Sequence, residues 1–153
     1  SSTTSTQNVF NVGVTLQSNT AYQFEGLYAL SKTVSSTAHT ISIGFGGSAT
    51  VYNILYQGPV IYDPGPIPVM DSTDMTVVSN TLSLTTATVS YGIASQVFAV
   101  SFKGTCSINV GGTFIPQFST SAAVGPYTVN SGSYIKFSAI GPAGANTAIG
   151  TWA

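Results

Sequence analysis

The feature that most constrains this chain is a two-residue hydrophobic rhythm broken by turn residues. Phe10, Val12, Val14 and Leu16 alternate with polar or small neighbours, and Tyr22, Phe24, Tyr28 and Leu30 do the same with Gly26 among them. Ile41, Ile43 and Phe45 repeat the pattern up to Gly46-Gly47, Phe98, Val100 and Phe102 carry it again, and Cys106, Ile108 and Val110 lead into Gly111-Gly112. A period of two puts one set of side chains on a single face of a strand. Val51 to Tyr56 is denser and reads as a strand buried on both faces. Residues 17–20, Gly125-Pro126, Ser131-Gly132 and 141–144 read as turns, the last leading into a final strand that ends at Ala153. Gly111-Gly112 reads as a hairpin turn into a return strand over 113–118, where Pro116 calls for an edge or a bulge. No segment joins a helical apolar period to helix caps. About ten strands with Gly/Pro turns predict an all-β fold, an antiparallel β-sandwich that is jelly-roll-like.

At 153 residues the chain suits one domain with a substantial core. Residues 1–6 are all Ser or Thr, and residues 1–8 are expected to form a flexible Ser/Thr-rich arm ahead of a single sandwich domain over 9–153. Within that domain 58–70 holds Pro59, Pro64, Pro66 and Pro68, a spacing that predicts an extended loop of polyproline character.

Charge narrows the function classes. There are three Lys, no Arg and four acids, so charged residues make up 5% of the chain against about 25% in an ordinary domain. Phosphate recognition needs clustered Lys and Arg, so nucleic acid is not an expected partner. No apolar run approaches the ~20 residues of a spanning helix, and no membrane insertion is expected. Low charge removes the self-repulsion that keeps proteins apart, which favours a homo-oligomer joined by apolar and small polar groups.

Residues able to do chemistry are few. His39 is the only histidine, too little for a conventional zinc site, and no G-x-S-x-G turn surrounds any serine. It reads as a surface or hydrogen-bonding histidine. Cys106 alternates with Ile108 and Val110 and reads as a core thiol. Glu25 falls on the parity opposite to Phe24 and needs solvent or a partner, for which Lys32, Lys103 and Lys136 are available. No catalytic residue, metal ligand or cofactor is expected. Tyr52, Tyr56 and Tyr62 flank or enter the Pro-rich segment near Asp63, Asp71 and Asp74. Aromatic rings beside carboxylates suit sugar stacking or a subunit contact, so these six are the expected glycan or partner contacts. A free carbohydrate-binding, lectin-like module is one function consistent with them.

Three stretches carry a resemblance. Thr20-Ala21-Tyr22-Gln23-Phe24-Glu25 resembles the T-x-Y-x-F-E opening of a C-terminal β-domain of tailed-phage virion structural proteins, of fibre, head-fibre or decoration type. Ile41-Ser42-Ile43-Gly44-Phe45-Gly46-Gly47 is similar to its I-x-x-G-F-G-G strand, after the Thr/Ser/His segment 35–40. Residues 103–118, from Lys103-Gly104 through Ile108-Asn109-Val110-Gly111-Gly112-Thr113 to Pro116-Gln117-Phe118, are similar to its K-G-x-x-x-I-N-x-G-G-T-x-x-P-Q-F segment. The resemblance covers the chain from about Val9 onward. It implies a non-enzymatic virion structural protein, a surface decoration or fibre tip that assembles as a trimer. Its implied partners are other virion proteins and a host-surface glycan.

Overall fold

The computed structural model describes residues 4–33, 35–63, 69–71, 76–86 and 95–145, with the backbone alone at 59–63, 69–71, 85, 86 and 98. Among these residues there are strands and no helix. In chain order the strands are β1 (Gln7–Asn8), β2 (Val14–Leu16), β3 (Thr20–Lys32), β4 (Ile41–Gly46), β5 (Thr50–Asp63), β6 (Val69–Asp71), β7 (Thr76–Ser79), β8 (Leu84–Thr86), β9 (Gln96–Val110), β10 (Gly112–Thr120), β11 (Thr128–Val129) and β12 (Tyr134–Pro142). A smaller sheet runs β1-β10-β4-β8, with β2 also on β10. A larger sheet runs β11-β3-β9-β5-β6, with β12 also on β3 and β7 on β5. Every pairing is antiparallel. The chain changes sheet at β2–β3, β3–β4, β4–β5, β7–β8, β8–β9, β9–β10 and β10–β11, so the expected β-sandwich, with the sheet-switching habit of a jelly roll, is the observed one.

Strand parity builds the core. Along β3 the residues Phe24, Tyr28, Leu30 and Lys32 point inward, while Glu25 and Leu27 point out. Phe24 sits at the centre with its ring against Phe45, Tyr56, Phe102, Phe114 and Phe137. Phe45 and Phe114 belong to the smaller sheet and Tyr56, Phe102 and Phe137 to the larger, so one ring cluster joins the two layers. Edge-to-face and tilted aromatic pairs add about 0.5–1.5 kcal/mol each beyond their buried area. Gly26 faces inward beneath Phe102, where an added Cβ would stand 2.4 Å from Phe102 Cζ. The glycine makes room for that ring.

Several local expectations change. Gln7 and Asn8 are not the end of an arm: they pair with Phe118 and Gln117, and Gln117 Nε2 donates to Asn8 Oδ1 at 2.9 Å. Gly111-Gly112 does not turn a hairpin. Strands β9 and β10 lie in different sheets, and Gly112 pairs with Leu16 instead. A Cβ on Gly112 would come within 2.7 Å of Ala49 N, so the crossing requires glycine. Pro116, opposite Phe45, is not on an edge strand, because β10 lies between β4 and the β1/β2 side. Its carbonyl accepts from Val9 N at 2.8 Å, so its nitrogen faces the same side, at the break between β1 and β2, where no ladder bond is lost. Val51 to Tyr56 is not buried on both faces. Leu55 is exposed, and two register shifts at 50–53 concentrate apolar residues along the strand. Gly141 and Pro142 belong to β12, with a register shift between Ala139 and Gly141, and the expected final strand lies outside the described residues.

The largest correction concerns 58–70. Strand β5 does not stop at Gly58 but runs on to Asp63, and β6 pairs back on it. The register moves from Gln57↔Lys103 to Val60↔Ser101, so Gly58 and Pro59 together oppose Phe102. That is a one-residue bulge, the place within a sheet where a proline is tolerated. Gly58 supplies the φ of 96° the bulge needs. Pro64, Pro66 and Pro68 lie outside the described residues.

Candidate functional site

Strand parity gives the larger sheet an outer face as well as a core face. Its central row crosses five strands: Lys136 (β12), Glu25 (β3), Lys103 (β9), Gln57 (β5) and Thr76 (β7) are successive register partners. One row to one side stand Tyr134, Leu27 and Ser101, and to the other Ser138, Gln23, Thr105, Leu55 and Val78. The face is therefore amide and hydroxyl groups around a short line of charge, with apolar side chains set into it. Tyr134 is 46% exposed, and Leu27 and Leu55 are each 42% exposed.

Two adjoining depressions follow this row. One, of about 440 Å³, is lined by Tyr134, Leu27, Glu25, Ser101, Gln57 and Lys103. The other, of about 380 Å³, is lined by Gln23, Leu55, Gln57, Thr76, Lys103 and Thr105. They meet at Gln57 and Lys103, and both volumes lie in the range of small-ligand sites. Lys136 Nζ stands 3.8 Å from Glu25 Oε1, and both side chains are more than half exposed. An ion pair that long and wet contributes about 0–1 kcal/mol, so the carboxylate stays available to another partner. Of the three lysines expected as partners for Glu25, the ion pair is with Lys136. Lys32 lies on the inner face, where its ammonium donates to the Ser35 carbonyl at 2.6 Å and burial pushes its pKa down.

The six residues expected to make contacts are dispersed. Tyr56 is in the core, with its ring against Phe24 and Phe45, and is not presented to a partner. The alternation that carried Ile54 inward carried Tyr56 with it. Tyr52 is half-buried, at the extra residue between the pairs Val51↔Ile108 and Asn53↔Ser107. Tyr62, Asp63 and Asp71 are brought together in the β5–β6 hairpin, where Tyr62 pairs with Met70, Asp63 with Val69 and Asp71 with Ile61. Asp74 lies outside the described residues.

The nucleophile and base candidates are occupied in structure. His39 is buried: its Nδ1 faces the Thr37 carbonyl at 2.9 Å and so donates to it, while Nε2 meets the Tyr127 hydroxyl at 2.6 Å. The ring ties the segment before β4 to the one before β11. The Cys106 thiol is buried, and burial pushes its pKa up to about 12, which disfavours the thiolate. Among the described residues no three of His, Cys, Asp and Glu are grouped to hold a metal ion.

Gln23, Gln57 and Tyr134 were not singled out by sequence reasoning. Their signal is parity: Gln23 precedes inward Phe24 and Gln57 follows inward Tyr56. What the sequence does not carry is the register that sets them side by side. No protein-family model matches this chain, and no curated protein or solved structure is detectably similar to it.

Proposed function

We propose that this chain is a non-enzymatic structural domain of a phage virion, a surface decoration or fibre tip that assembles as a trimer and turns a recognition face outward. The observation that carries this reading is the outer face of the larger sheet. It spans β12-β3-β9-β5-β7, is built of amides, hydroxyls and isolated apolar side chains, and holds only Lys136, Glu25 and Lys103 as charges along its central row. Such a surface is suited to contact, because it has little charge to desolvate and its contact residues sit on rigid strands. The resemblance of 20–25, 41–47 and 103–118 to virion domains supports the same reading. Apolar residues exposed away from this face, Val12, Val110 and Ile140, are the expected subunit contacts.

Multi-angle light scattering on the purified chain tests the assembly. A stable species at three times the 15.7 kDa chain mass is expected, unchanged in raised salt because the contacts are not ionic. A monomer at every concentration that also fails to sediment with phage particles would overturn the reading.

A further inference from the structure

We infer that the double depression on the outer face of the larger sheet is a binding site for a neutral oligosaccharide. This deepens the reading of that face as a recognition surface, and it stands on the chemistry of the lining.

A saccharide presents a ring of hydroxyls, each donor and acceptor, around a weakly polar face of C–H groups. Its site needs planar polar groups that donate and accept in pairs, and an aromatic or aliphatic surface for the ring face. Gln23 and Gln57 are exposed amides on the outer face, and no other described side chain is hydrogen-bonded to either. Glu25 adds a carboxylate whose one ion pair is 3.8 Å long. Tyr134 supplies a half-exposed ring, and Leu27 and Leu55 supply aliphatic surface on either side of the row. From Lys136 to Gln57 the row crosses three inter-strand gaps, about 14 Å at the usual spacing, which is room for an oligomer rather than a single sugar.

Charge selects the neutral class. Glu25 stands between Lys136 and Lys103 in the same row, so an anionic ligand lying along the groove meets a carboxylate at its centre. A phosphate or sulfate site would group its cations without one. Gly26, Gly58 and Phe102 form part of the floor of the larger depression, and the bulge at Gly58-Pro59 breaks the sheet's regular rise beside Gln57.

The test is a printed array of neutral hexose and N-acetylhexosamine oligosaccharides, two to six units long, with sialylated and sulfated chains alongside, probed with the whole chain. Hits are then titrated calorimetrically against Gln57→Ala, Tyr134→Ala and the control Thr15→Ala, an exposed position on β2 of the smaller sheet, away from the groove. Each groove variant removes one hydrogen-bonding or stacking group, so about a tenfold loss of affinity is expected from each, with thermal melting unchanged. Thr15→Ala is expected to bind as the parent does. Failure of the parent to bind any neutral oligosaccharide, binding confined to the anionic chains, or binding that survives both groove variants would overturn the inference. The outcome is separable from the virion reading. A chain found in purified particles that binds no glycan refutes only the site, and a chain that binds glycan through Gln57 and Tyr134 but is missing from particles refutes only the virion role.

Discussion

Phe24→Ala is the sharpest perturbation of the fold. Phe24 is 1% exposed, and its ring has five aromatic neighbours at centroid separations from 5.3 to 6.3 Å, drawn from both sheets. Truncating a buried Phe to Ala costs about 3–5 kcal/mol. Five lost ring contacts, and neighbours held on two separate layers that cannot easily collapse into the gap, place this site at about 4–5 kcal/mol. Against a total stability of about 5–15 kcal/mol, that removes about a quarter or more of what holds the domain folded. At about 3 °C per kcal/mol for a chain of this length, the melting temperature should fall by about 12–15 °C. The assay is urea unfolding followed by tryptophan-independent far-ultraviolet circular dichroism, with Leu27→Ala as the parity control. Leu27 is three residues on and faces out, so its truncation should cost within about 0.5 kcal/mol. A loss below about 1.5 kcal/mol at Phe24, or an equal loss at Leu27, would refute the assignment of inner and outer faces.

Other predictions concern single groups. The Tyr28 hydroxyl is buried with no hydrogen-bond partner among the described residues, and burial pushes its pKa up, so Tyr28→Phe should hold or raise stability by about 1–2 kcal/mol; a loss of more than 1 kcal/mol in urea titration would contradict this. A Cβ at Gly104 would stand 2.2 Å from the Leu55 carbonyl oxygen, a backbone atom that cannot swing away, so Gly104→Ala should cost about 2–3 kcal/mol by the same titration. The Cys106 thiol has a folded pKa raised from 9.0 to about 12, so its contribution is whole below pH 9 and is lost as pH climbs toward 12. Alkaline unfolding should therefore begin above pH 9 and shift upward in Cys106→Ala, and the native thiol should resist a disulfide reagent at pH 8; ready modification without unfolding would show the thiol to be accessible. Glu25→Gln breaks an exposed ion pair 3.8 Å long, so thermal melting should change by less than about 2 °C, and a larger drop would mean the pair is structural.

The fold class was legible because parity is local. Phe24, Tyr28 and Leu30 declare their common face within seven residues, and the core contains all three. Turn chemistry was legible at Asn19, whose φ of 54° suits a short polar side chain, and at Gly132 with a φ of 89°. Pairing was not legible, because register depends on residues far apart in the chain. Gly111-Gly112 has the composition of a hairpin turn, yet its strands part into separate sheets, since Leu16 rather than Val110 pairs with Gly112. Proline content misled at 58–63 because a single bulge absorbs Pro59. The same gap explains the site. Clustering Tyr52, Tyr56 and Tyr62 by sequence distance ignored that Tyr56 shares the inward parity of Ile54 and that register shifts at 51–53 and 57–60 break the strand between the three, whereas Gln23 and Gln57 come from strands separated by β9 and share a depression.

The most direct test of the functional account is peptide mass spectrometry of phage particles, purified by density gradient, from the genome that encodes this chain. The account predicts peptides such as the one bearing Glu25 and Lys32 banding with the particles. Peptides found only in the particle-free lysate would contradict it.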